Sequence, residues 1–251
     1  VKQILVHARL LLLSTLRSNL LYSFLIVAFP LFLAAYFFDI TNPGFQTLFI
    51  KDIVASILSV FSIIIVVLLA FETILWKDGR KQGWFLLSRV KSRFYLFVGQ
   101  SLGLMFSVLL ILGTVTLFYL LILRFTHGVW FWELIAAVWL LGIEACVSVS
   151  LLSLLSIFCS RFLSLSIFFL LYLVSITQLL PTFLLSHGSG SLMSLLAFIL
   201  SVFPDFNMFS LNEIVFAAGN YTQIVYSTFY AIFMSGFYLL MADLLVAKRG
   251  S

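Results

Sequence analysis

The chain has 251 residues, of which 63% are hydrophobic and 9% charged, with a formal net charge of +5. A soluble domain carries about 25% charged residues, so this composition excludes a globular cytosolic protein. One crossing of the hydrocarbon takes roughly 20 apolar residues, so the length admits about six crossings with short connections and leaves no long hydrophilic stretch.

Val1 to Asn19 opens the chain. At about 100° per residue, Ile4, Leu5, Ala8, Leu11, Leu12, Thr15 and Leu16 gather on one half of a helix. Lys2, Gln3, His7, Arg9, Ser14 and Arg17 occupy the other half, with Val6, Leu10 and Leu13 intruding on it. This pattern predicts an amphipathic helix lying flat at the headgroup level. The next apolar stretch runs straight into a full span with no small-residue cleavage site, so a cleavable signal is not expected.

The first span is expected over 20–38, interrupted by Pro30, which a membrane helix tolerates. An outside loop follows over 39–52 with the turn signal Asn42-Pro43-Gly44. Span two is expected over 53–75 and span three over 94–123, joined by the loop Trp76–Arg93. Trp130 and Trp132, in the short turn after Arg124, suit a membrane interface. Span four is expected over 133–158, and span five over 162–185 after the tight turn Cys159-Ser160-Arg161.

The apolar run Ser191–Phe203 is too short to cross and ends at Pro204-Asp205, so a re-entrant or interfacial outer segment is expected there. Parity agrees: a crossing at that point would carry Lys248 and Arg249 to the wrong face. Span six is expected over 221–247. The fold class expected is therefore an all-α membrane protein with six transmembrane helices.

Charge sets the orientation. Lys2, Arg9, Arg17, Lys77, Arg80, Lys81, Arg89, Lys91, Arg93, Arg161, Lys248 and Arg249 fall on one side, and only Lys51 and Arg124 on the other. Cytoplasmic loops retain Lys and Arg, so both termini and the Trp76–Arg93 loop are expected in the cytosol. The same topology accounts for the basic residues without nucleic acid as a partner.

Motifs for chemistry are sparse. The sequence contains no GxxxxGK[ST], GxGxxG or HExxH pattern. Gly99-Gln100-Ser101-Leu102-Gly103 has the letters GxSxG but lies inside an expected apolar span and not at a strand-to-helix turn, so it makes no nucleophile elbow. Any ATP-driven work therefore calls for a second polypeptide, and no catalytic residue, metal site or cofactor is expected on this chain. Cys146 and Cys159 lack a CxxC partner and read as isolated thiols. His127, His187, Met193 and Met208 are types that suit copper, but no ligand spacing joins them.

Two features remain. Glu144 is an acidic residue at mid-span, where such groups are costly and face a bundle interior or cavity. It is either a polar point on a transport path or coupling contact, or a protonated or hydrogen-bonded helix contact. Glu72 is a second candidate for the transport path or coupling, although it and Asp243 lie near the inner boundary, where water or basic neighbours can satisfy them. The basic loop carries Lys77, Arg80, Lys81 and Arg89 around the apolar cluster Trp84, Phe85, Leu86 and Leu87. That mixture suits a short helix whose apolar residues enter a partner's groove while its charges guide docking.

At this loop the chain resembles the permease subunits of ABC-2 type transporters, in the branch associated with multicopper-enzyme maturation and gliding motility. Those permeases carry LLSRPxSR, then an aromatic-rich stretch and GKxxG. Here the sequence is Leu86-Leu87-Ser88-Arg89-Val90-Lys91-Ser92-Arg93, then Phe94-Tyr95 and Gly99-Gln100-Ser101-Leu102-Gly103, departing at Val90 and Gln100. Glu144 before a Ser-rich stretch, and Phe203-Pro204-Asp205-Phe206 leading to Phe209-Ser210-Leu211, are similar to further segments of the family.

The resemblance implies a bacterial inner-membrane exporter half. Two permease copies pair, two ATPase subunits carrying ATP and Mg dock beneath them, and an accessory protein on the periplasmic side is compatible with this layout. It also implies that the Trp76–Arg93 loop acts as the coupling helix and Val1–Asn19 as a connecting helix. A non-transporting membrane scaffold and an intramembrane enzyme are the alternatives from other classes. The cargo is not legible.

Overall fold

The computed structural model describes residues 2–17, 22–24, 26–27, 29–30, 46–73, 93–127, 130, 132–177, 203–211 and 221–249. Its helices are α1 (Lys2–Arg17), α2 (Gln46–Thr73), α3 (Arg93–His127), α4 (Glu133–Phe158), α5 (Arg161–Thr177) and α6 (Tyr221–Arg249), with a 3-10 turn at Phe206–Phe209. Among the described residues there is no strand. Among the described residues four stretches are long and apolar enough to cross a membrane: Asp52–Ala70, Phe97–Leu121, Glu133–Phe158 and Thr222–Val246. The chain reads as a membrane protein on that ground.

Two helix boundaries differ from the expected ones for the same reason. α2 begins at Gln46, so Lys51 and Asp52 sit on a helix and not in a loop. α3 continues through Arg124 to His127. Hydropathy marks where a helix leaves the hydrocarbon, whereas backbone hydrogen bonding continues until a breaker intervenes. The expected Cys159-Ser160 reversal is present. α4 ends at Phe158, Cys159 adopts extended backbone, and its N–H donates to the Leu155 carbonyl at 2.9 Å. Two residues between helices force α4 and α5 into an antiparallel pair.

α4 is the axis of the bundle, with α2, α3, α5, α6 and the 3-10 turn all packed on it. Its sequence is apolar on every face, the mark of a helix with no water side. In lipid, apolar character alone does not choose between a neighbouring helix and an acyl chain, so small residues decide where helices approach. α4 carries Ala136, Ala137, Gly142, Ala145, Ser148, Ser150 and Ser153 along its length. At Gly142 the side chain of Leu109 on α3 occupies the space a Cβ would need. α6 is the converse: Tyr226, Phe229, Ile232, Phe233, Leu240 and Leu244 remain exposed. An apolar belt of that size is rare on a soluble monomer.

α1 packs along α3 in parallel register. A Cβ on Gly99 would lie 2.9 Å from the Cβ of His7 and 3.0 Å from the Ile4 carbonyl oxygen. One turn on, a Cβ on Gly103 would lie 2.9 Å from the Cβ of Leu11 and 3.0 Å from the Ala8 Cα. A further turn on, Ser107 Oγ donates to Thr15 Oγ1 at 3.1 Å. Gly99, Gly103 and Ser107 therefore form a stripe of small residues at four-residue spacing, which lets two backbones meet.

This contact corrects the expected face of α1. The buried stripe runs through His7, Ala8, Leu11 and Thr15 and is rotated by about 50° from the middle of the predicted apolar half, taking 100° per residue. His7, expected on the polar half, is partly buried, while Leu5 and Leu16, expected on the apolar half, are exposed. α1 follows the axis of a candidate span for three turns, where its composition predicts a helix lying flat. Close approach to glycine has outweighed amphipathicity.

Part of the first expected span is also described. Phe24 is buried and meets Phe61 of α2 edge-on at 5.5 Å, and Phe29 lies 6.0 Å from Phe118 of α3.

The glycine stripe makes a signed prediction. Gly103→Ala should destabilise the purified protein by about 1–3 kcal/mol, the usual cost of overpacking, because the atoms it meets belong to or adjoin backbone. Gly113→Ala, on the same helix with nothing within 4 Å of its Cβ, should instead gain from helix propensity by up to about 1 kcal/mol. Thermal unfolding in one detergent reads both, and equal shifts of the same sign would remove the stripe as a packing device.

Candidate functional site

Glu144 lies on α4, twelve residues into a helix of 26, and is 6% exposed. Its Oε1 accepts a hydrogen bond from the Tyr172 hydroxyl of α5 at 2.9 Å. Among the described residues this is the one polar partner of the carboxyl group. The antiparallel α4–α5 hairpin sets the match, since the two residues stand at similar distances from the Cys159-Ser160 reversal. Along α5 the buried residues Ser164, Phe168 and Tyr172 recur every four positions and form its packing face.

The second half of the site is the segment 203–211. Its Phe206 ring is 2% exposed and lies 4.9 Å from the Tyr172 ring and 6.1 Å, edge-on, from Phe168. Phe209, equally buried, faces Tyr230 of α6 at 6.1 Å. Tyr172 therefore has two contacts of different kinds, its hydroxyl on Glu144 and its ring against Phe206.

Several backbone groups of this segment find partners on α5, on α6 or within the turn. The Asp205 N–H donates to Tyr230 Oη at 2.7 Å, and the Phe206 N–H to Ser175 Oγ at 2.6 Å. The Asn207 N–H donates to Asp205 Oδ1 at 3.0 Å, which caps the 3-10 turn. The Met208 carbonyl accepts from Ser227 Oγ at 2.7 Å, and the Asn207 carbonyl from the Ser210 N–H at 2.9 Å. Irregular backbone at membrane depth is tolerated only where protein or water supplies partners. Here α5 and α6 supply them from Ser175, Ser227 and Tyr230.

The depth follows from helix rise. Ser227 and Tyr230 lie six and nine residues from the start of α6, and Trp139 of α4 donates to Thr228 Oγ1 at 3.3 Å. At 1.5 Å per residue, the turn sits about 10 Å below the N-terminal ends of α4 and α6.

The structure thus brings together residues that the sequence singled out separately. Glu144, Phe203, Pro204, Asp205 and Phe206 belong to one neighbourhood, with Pro204 and Phe206 buried and Asp205 exposed. Tyr172, Ser175, Ser227 and Tyr230 were not legible as site residues. The signal available for α5 was the polar spacing Ser164, Tyr172, Ser175 on one helical face, which hydropathy averages away. Nothing local in α6 marks Ser227 or Tyr230.

A second polar contact joins α3 to α4. Ser101 Oγ lies 3.2 Å from Ser150 Oγ and 3.3 Å from Cys146 Sγ, and Ser150 Oγ donates to the Cys146 carbonyl at 2.7 Å. This is the small-residue stretch after Glu144, where hydroxyls join the two helices.

Lys77, Arg80, Lys81, Trp84, Phe85, Leu86, Leu87 and Arg89 lie outside the described residues, as do His187 and Met193. Glu72 is on the last turn of α2, its side chain outside the description. His127 ends α3 and Met208 is exposed on the turn. Among the described residues no three His, Cys, Asp or Glu side chains converge in a metal-binding group.

Magnitudes rank what holds the turn. An interhelical hydrogen bond within a membrane averages about 0.6 kcal/mol and reaches about 1.7, while removing a buried Phe side chain costs about 3–5 kcal/mol. Phe206→Ala should therefore destabilise the protein several times more than Tyr172→Phe, measured by unfolding in detergent. Equal losses would mean that the hydroxyl and not the ring seats the segment. Scanned against protein-family models the chain matches none, and a search of curated proteins finds no match either.

Proposed function

We propose that this chain is the membrane-spanning permease subunit of an ABC-2 type transporter, working as an exporter powered by ATP hydrolysed on a separate ATPase subunit. The observation that carries the reading is the inserted segment 203–211, seated about 10 Å into the bundle and linked through Tyr172 to the buried Glu144. Transporters place broken, irregular backbone and ionisable groups together at membrane depth, where a path is opened and closed. A scaffold has no need of either feature.

The ordered motifs from Leu86 to Gly103 and the segment before the last helix support the same family. In this reading the six crossings are the first span and α2 to α6, and both termini and the Trp76–Arg93 loop face the cytosol of a bacterial inner membrane. The loop is the coupling helix, with Lys77, Arg80, Lys81 and Arg89 steering the ATPase and Trp84–Leu87 entering its groove. Two copies of the chain pair above two ATPases. ATP shifts the pair between inward-open and outward-open states because it binds one arrangement of the complex better than the other. α1, resting on Gly99 and Gly103, is the connecting helix and is tied to the cytosolic end of α3. ATP and magnesium belong to the ATPase and not to this chain.

The docking surface is tested by replacing Trp84, Phe85, Leu86 and Leu87 with charged residues and copurifying the complex. The ATPase should be lost while the permease remains in the membrane, and retention of the ATPase would reject the coupling helix. Separately, Glu144→Gln should lower transport or transport-linked ATPase activity by about tenfold, about 1.4 kcal/mol in the barrier, with the complex intact. Transport at the wild-type rate would assign Glu144 to packing alone.

A further inference from the structure

We propose that Glu144 is a proton-binding site coupled to the seating of the 203–211 segment, with Tyr172 as the connecting group. The inference starts from geometry. Glu144 is inside the bundle, and its one described polar partner touches Phe206 with its other face. Whatever displaces Phe206 frees the Tyr172 ring, and whatever changes Glu144 changes the acceptor of the Tyr172 hydroxyl.

The titratable groups on the surrounding helices are few. Apart from the charged residues at their ends, α2 carries none, α3 carries Tyr95 and Tyr119, α4 carries Cys146, α5 carries Tyr172, and α6 carries Tyr221, Tyr226, Tyr230 and Tyr238. The turn brings Asp205, which is engaged by Asn207 and Ser175. Among the described residues no cation reaches Glu144. The side chain is therefore compatible with dry surroundings as the acid, whereas the carboxylate needs water or a displaced donor.

The step is a proton transfer. The Glu144 acid gives its proton to water that enters as the segment lifts, leaving a carboxylate in the site and hydronium that passes to bulk. Loss of the proton therefore favours the lifted segment. By reciprocity, lifting the segment favours loss of the proton to the same extent. The device belongs to this chain alone and does not depend on the identity of an ATPase partner.

The test places a reporter at the buried end of the segment. Leu211, 5% exposed, becomes Cys in a chain carrying Cys146→Ala and Cys159→Ala, held in lipid nanodiscs and exposed to a membrane-impermeant maleimide. A thiol's own ionisation speeds maleimide with rising pH, so the reading is the labelling rate divided by that of the same chain with Glu144→Gln. From mildly acidic to mildly alkaline pH this ratio should rise about fivefold or more, the low end for linked sites. A flat ratio overturns the linkage. A rise that persists unchanged with Tyr172→Phe overturns the route through Tyr172.

A second measurement needs no reporter cysteine. A lipid-soluble carbodiimide, which adds to protonated carboxyl groups in apolar surroundings, should label Glu144 in the otherwise native chain, with yield falling as pH rises. Absence of Glu144 labelling at acidic pH would overturn the proton site itself.

Discussion

A carboxyl group and a stretch of non-helical backbone both demand hydrogen-bond partners, and lipid supplies none. In this protein the two demands are met in one place. Glu144 takes a hydroxyl from α5, and the backbone of 203–211 takes hydroxyls from α5 and α6. Much of the arrangement follows from this need. α5 must be antiparallel and adjacent to α4 to bring Tyr172 level with Glu144, so the tight reversal at Cys159-Ser160 belongs to the site as much as to the fold. α6 must stand beside the turn with Ser227 and Tyr230 directed at it.

The rest of the bundle is organised by a different constraint, the distance at which two backbones can meet. α4 carries small residues and is surrounded, while α6 carries Phe and Tyr on the face it leaves exposed. α1 rests on Gly99 and Gly103, where no side chain separates the helices. In water an amphipathic helix is positioned by its apolar stripe. In lipid that stripe has no preference between acyl chain and helix, and van der Waals contact at a glycine ridge decides. This is why α1 packs on a face turned away from its most apolar side.

These two constraints also separate rigid from responsive parts. The α1–α3 and α3–α4 contacts combine close backbone approach with hydroxyl bonds that carry no charge. The α4–α5–turn contact combines aromatic rings with an ionisable group. In the latter a change of one proton on Glu144 alters what the packing must accommodate.

Much of the architecture was legible in the residues. The 133–158 helix, the Cys159-Ser160-Arg161 turn and the last helix stand where apolar run length and breakers place them, because a crossing of fixed thickness needs a fixed number of residues. Glu144 was legible because an acid at mid-span is conspicuous, and Pro204-Asp205 because it ends an apolar run too short to cross. Tertiary structure decided which residues meet. Neither the spacing of Glu144 nor that of Phe206 indicates that Tyr172 joins them, since that depends on the relative rotation of two helices about their axes. The hydroxyls of Ser175, Ser227 and Tyr230 are unremarkable in sequence for the same reason. The bilayer sets where a helix begins and ends, while the side chains of its neighbours set which way it faces.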